Sequence, residues 1–70
     1  MRYAIVIEHA GDNYSAYAPD LPGCVATGKS VAAVKEEMRE AVELHLSGLR
    51  EDGVAIPPAA SKVEYVEVTV

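Results

Sequence analysis

The chain has no tryptophan and no phenylalanine, and four tyrosines are its only aromatics. A large aromatic core is therefore excluded. It has one cysteine, so no internal disulfide can staple it. Two histidines and that cysteine make a poor metal set, and none of the short ligand spacings of a zinc motif is present. Lysine and arginine total 6 against 11 acidic residues, giving a net charge of −5. Nucleic-acid binding needs cations that displace counterions from phosphates, and the basic residues here are few and scattered. No apolar run approaches the roughly 20 residues of a membrane span. Met1-Arg2 leads straight into a short alternating segment rather than a signal-peptide core. The expected setting is cytoplasmic and reducing.

What remains is a chain of 70 residues, half of them apolar, read as a single domain over residues 1–70. A domain this small buries only about 60% of its unfolded surface. Such domains are commonly supported by a disulfide, a metal or a partner subunit. The composition leaves self-association, as a dimer or tetramer, as the expected support.

"RYAIVIEH" (Arg2–His9) reads as a first strand, "YSAYA" (Tyr14–Ala18) as a second, and "CVATG" (Cys24–Gly28) as a third. Gly11-Asp12-Asn13 makes the first hairpin connection. Val31, Val34, Met38, Ala41, Val42, His45 and Leu49 then recur at helical spacing. Ser30 is placed to cap that helix, which is expected to run to about Glu51 with Gly53 ending it. "KVEYVEVTV" (Lys62–Val70) reads as a fourth strand. The expected fold is α+β, a two-layer βββαβ arrangement with one helix on a four-stranded mixed sheet. Right-handed crossover favours strand order 3-2-1-4. Strands one and four carry apolar residues on both faces, a second reason to expect self-association.

The densest conformational punctuation lies in "YAPDLPGCVATGKS" (Tyr17–Ser30). A nucleophilic cysteine needs a base and a lowered pKa. Cys24 has no base beside it in sequence, so it reads better as a small buried residue. "GCVATGKS" matches the phosphate-loop pattern literally, but "CVAT" reads as strand and the chain lacks repeated βα units. Pro19, Asp20, Pro22 and Gly23 read most simply as a rigid corner, and Ser30 as a cap.

The order of features along the chain is distinctive: Pro19 to Cys24, Gly28, Ser30, Glu40-Ala41, Leu44 to Leu46, Gly53 and Ile56-Pro57. Together they resemble the signature of the HicB-like antitoxin family across essentially the whole chain. The resemblance implies a sheet like a truncated RNase H fold and no catalysis. It implies a partner, a small basic HicA-like toxin that cleaves mRNA. Longer members carry a C-terminal DNA-binding segment that this sequence does not show, so direct DNA binding by this chain is not expected.

Glu36, Glu40 and Glu43 fall at i, i+4 and i+7 and form one row. Such a row is commonly a solvated face, and it is also the candidate surface for a basic partner. Arg39 is placed to pair with Glu43, which compensates the row in part. His45 reads as a core-edge residue and His9 as exposed. No catalytic residue, cofactor or metal is expected. A homo-oligomeric structural or regulatory domain without a toxin is the alternative. An enzyme with a degenerate RNase H-like site ranks below it, because only Glu8, Asp12 and Asp20 stand on or near the strands as carboxylates.

Overall fold

A computed structural model describes residues 1–70. Three strands form an antiparallel sheet in the order β1-β2-β3: β1 is Val6–Ala10, β2 Asn13–Tyr17 and β3 Val25–Gly28. Helix α1, Val31–Glu51, packs on this sheet chiefly against β3 and β2. In the first hairpin Val6 pairs with Tyr17 and Ala10 with Asn13. In the second, Tyr14 pairs with Gly28 and Tyr17 with Val25.

The corner between β2 and β3 is two successive turns. The Leu21 amide donates to the Ala18 carbonyl at 3.1 Å and the Cys24 amide to the Leu21 carbonyl at 3.0 Å. Pro19 and Pro22 occupy the second position of each turn, where a fixed φ is favourable. Gly23 follows Pro22 with φ +83°, the left-handed residue a type II turn requires. An Ala18 to Cys24 backbone bond of 3.2 Å closes the loop. The corner thereby drives Leu21 into the core, where it is fully buried with Ala16, Ala18, Cys24, Val34 and Met38. These six residues are the whole buried core.

The helix begins at Ser30, whose Oγ accepts from the Ala33 amide at 3.0 Å. It ends in a Schellman arrangement: the Gly53 amide donates to the Arg50 carbonyl and the Val54 amide to the Leu49 carbonyl. Val34 and Met38, one turn apart, are its buried residues.

The expected four-stranded mixed sheet in the order 3-2-1-4 is not formed, and the likeness to a truncated RNase H sheet falls with it. The sheet has three strands, all antiparallel. Lys62–Val70 forms no strand, and none of its residues makes a hydrogen bond. The chain is tied down just before this segment. The Ser61 amide and hydroxyl donate to Asp20 at 2.9 and 2.7 Å, and the Tyr3 hydroxyl donates to the Pro57 carbonyl at 2.5 Å. Beyond Ser61 the segment leaves an open cleft between itself and residues 2–7. β1 is shorter than expected for a related reason. Its last partner on β2 is Tyr17, opposite Val6. The chain then turns at the corner, so Arg2–Ile5 have no strand beside them.

Candidate partner-binding surface

The sheet has two free edges, β1 and β3. At the β3 edge the strand and α1 diverge around a shallow groove of about 380 Å³, lined by Val25, Ala26, Thr27, Glu37, Glu40, Ala41 and Leu44. A second depression continues it past Cys24 to His45. Val25 is 65% exposed and Leu44 76% exposed. Two large aliphatic side chains thus stand in solvent on facing elements, with two carboxylates on the helical rim. A strand edge, an apolar floor and an acidic rim suit a partner that brings an extended backbone and positive charge.

The helix sets this arrangement by its period. Val34 and Met38 face the sheet, which turns Ala41 and Leu44 toward β3 and Glu36 and Glu43 outward. The close seating of β3 on the helix start depends on Gly28. A Cβ there would lie 2.7 Å from the Val34 nitrogen and 2.9 Å from its Cα. The glycine of "GKS" therefore serves close packing of strand against helix.

The row Glu36, Glu40, Glu43 is divided in the folded chain. Arg39 pairs with Glu36 at 2.5 Å and with Glu43, bridging the first and last members. The hydrogen bonds and charge of Arg39 hold the Glu36 carboxyl below its usual range, and the Glu36 hydrogen bonds, with the charges of Glu36 and Glu43, push the guanidinium up. Glu40 lies instead at the groove beside Glu37. Sequence spacing thus missed Glu37, Val25 and Leu44. Their signal was Glu37 and Leu44 at i and i+7, next to an apolar third strand.

The other singled-out residues serve the fold. Pro19, Pro22 and Gly23 form the corner, and Ser30 and Gly53 border α1. Asp20 has a further role: Ser61, through its backbone amide first and its hydroxyl second, holds the Asp20 carboxyl below its usual range. Cys24 is buried, and burial pushes its thiol pKa up, away from the reactive thiolate. His9 stacks at 4.7 Å on Tyr14, its cross-strand partner. No cluster of three or more His, Cys, Asp or Glu residues is arranged to hold a metal ion. No helix is long and apolar enough to cross a membrane.

The family profile described as HicB_like antitoxin of bacterial toxin-antitoxin system matches residues 3–69. The chain belongs to the HicB-like antitoxin family. A UPF0150 protein of Archaeoglobus fulgidus is 43% identical over 71 aligned positions, covering 97% of this chain and 96% of its own. A UPF0150 protein of Helicobacter pylori is 42% identical over 50 residues, covering 71% and 69%. An uncharacterised 14.9 kDa protein of Haemophilus phage HP1 is 32% identical over 66 residues. That alignment takes in 94% of this chain but 50% of the phage protein, so this HicB-like chain spans half of that relative's length. No solved structure matches it. Membership gives an antitoxin-type role and points to a non-catalytic protein. Among the residues that carried the resemblance, Pro19 to Cys24, Gly28, Ser30 and Gly53 build the corner, the strand–helix seam and the helix ends, while Glu40, Ala41 and Leu44 line the groove.

Proposed function

We propose that this HicB-like chain binds and neutralises a small basic HicA-like toxin that cleaves mRNA, and that it does so by contact alone, in the cytoplasm. The observation that carries the reading is the groove between β3 and α1. Its exposed Val25 and Leu44 offer an apolar centre, Glu37 and Glu40 a negative rim, and the β3 edge unpaired backbone groups. A basic toxin surface gains apolar burial at the centre and charge complementarity at the rim. Glu36 and Glu43, already paired with Arg39, contribute less to this attraction than Glu37 and Glu40.

We propose further that the chain self-associates. A core of six buried residues is small, and Val63, Tyr65, Val66, Val68 and Val70 are exposed together in one segment. This reading holds with or without a toxin. The test is to mix the purified chain with the product of a toxin-like neighbouring reading frame. A co-eluting complex that no longer cleaves RNA, and whose association slows as salt rises, supports the antitoxin reading. Separate elution with RNA cleavage undiminished refutes it and leaves the self-associating domain.

A further inference from the structure

We infer that Lys62–Val70 is an exchanged arm, which docks on the outer edge of β1 in a second copy of the chain. This deepens the self-association reading and rests on it.

The surface area points to a missing cover. A folded monomer of this mass exposes about 4,200 Å² by the scaling of surface with mass. This chain exposes 5490 Å². The excess is about 1,300 Å² per copy, and two copies hiding it would form an interface within the range of permanent dimers. Its radius of gyration is 13.7 Å, against about 11 Å for a compact chain of this length. The molecule is 48 Å long and only 17 Å thick.

Five of the eleven exposed large apolar residues lie in the arm. Tyr65 is 90% exposed and Val66 86%, with Val68 and Val70 also in solvent. The segment holds Val63 and Tyr65 on one face and Val66, Val68 and Val70 on the other, is rich in β-branched residues and lacks proline and glycine. It has the residues of a strand, yet it donates and accepts no hydrogen bond. Its base is fixed by the Asp20–Ser61 and Tyr3–Pro57 bonds, so the arm is aimed rather than loose.

The acceptor is equally specific. The outer edge of β1 has no partner strand. Beside it runs a cleft of about 320 Å³ walled by Ile5, Val6 and Ile7 on one side and Val63 and Tyr65 on the other, all apolar. The chain's own arm stands across this cleft without pairing to β1. An arm from a second copy entering it meets β1 on one side and the resident arm on the other. The exchange is reciprocal, because each copy supplies one arm and one cleft, and a two-fold axis closes the assembly. Two three-stranded sheets then fuse into one, in the order β3-β2-β1-arm′-arm-β1′-β2′-β3′. The β3 edges, with their grooves, remain at the outer ends and free for a toxin.

The experiment compares the full chain with a Val66→Pro/Val68→Pro variant. Proline removes two amide donors and blocks pairing, while the hydrogen bonds of the three-stranded sheet and the helix are untouched. Light scattering and amide hydrogen exchange are read on both. The full chain should have twice the mass of a 7.4 kDa monomer, with slowed exchange in residues 63–69. The variant should be monomeric with unchanged helical circular dichroism and fast exchange throughout the arm. A variant that remains a dimer overturns the arm while leaving self-association intact. A full chain that stays monomeric at about 100 µM, far above a stable dimer's Kd, overturns both. Protection of the arm that appears only on adding a toxin overturns the exchange and assigns the arm to the toxin. If the variant unfolds, Tyr65→Asp takes its place, with the same outcomes read on it.

Discussion

One methyl group at two glycines should move stability in opposite directions. At Gly28 the added Cβ meets backbone, not a flexible side-chain end: Val34 N at 2.7 Å, Val34 Cα at 2.9 Å and the Ala33 carbonyl carbon at 3.1 Å. These atoms are held, because the Val34 amide donates to the Ser30 carbonyl at 2.9 Å and the Val34 side chain is fully buried. Forcing such a contact apart costs about 1–3 kcal/mol. The whole domain, at 70 residues, is stable by only about 4–10 kcal/mol. A loss of about 2 kcal/mol lowers Tm by about 8–16 °C in a domain of this size. At Gly48, inside α1, a Cβ has nothing within 4 Å, so Gly48→Ala should stabilise by about 0.5–1 kcal/mol. Thermal unfolding followed by helical circular dichroism reads both variants, at one chain concentration because self-association shifts Tm by mass action. Gly28→Ala at or above the parent Tm refutes the packing argument. So does a rise in the parent Tm on adding magnesium and ATP, which would return "GKS" to the phosphate-loop reading.

Three further outcomes follow from the same geometry. Leu21→Ala should cost about 2–5 kcal/mol although Leu21 lies in a loop, because its side chain is fully buried; urea titration measures this, and a loss under about 1 kcal/mol would mean the corner does not fill the core. The Asp20 carboxyl is held below its usual 3.8, so its bond to Ser61 contributes above that value and is lost as pH falls through the depressed pKa. The Ser61 amide resonance should therefore be constant from about pH 7 to about pH 5 and move only below the normal carboxylate range; movement near that upper limit would contradict the clamp. Cys24 should react slowly with a thiol reagent in the native state and quickly in denaturant, and rapid native labelling would contradict its burial.

The parts legible in the sequence are those decided by near neighbours. The helix could be placed because Ser30 caps it through the nearby Ala33 amide, and because Val34 and Met38 mark its buried stripe. The corner could be placed because Pro19, Pro22 and Gly23 leave the backbone few choices. Lys62–Val70 was different. A run of β-branched and aromatic residues shows that a segment can be a strand, but pairing needs a second edge, and nothing local names it. Asp20–Ser61 and Tyr3–Pro57, which fix where the segment departs, join residues 41 and 54 positions apart. The acidic row is divided for a smaller reason. Spacing puts Glu36, Glu40 and Glu43 on one side of α1, but it does not show that Arg39 reaches both outer members, leaving Glu40 with Glu37 at the groove.

The most direct test of the antitoxin reading is the affinity of a cognate basic toxin for the chain carrying Leu44→Asp. The substitution places a charge at the centre of the groove, on an exposed helical position that contributes little to the fold. Isothermal titration should show toxin binding weakened at least about tenfold, about 1.4 kcal/mol or more, with circular dichroism unchanged. Glu36→Lys should weaken it far less. Full affinity with Leu44→Asp would place the toxin elsewhere and contradict the account.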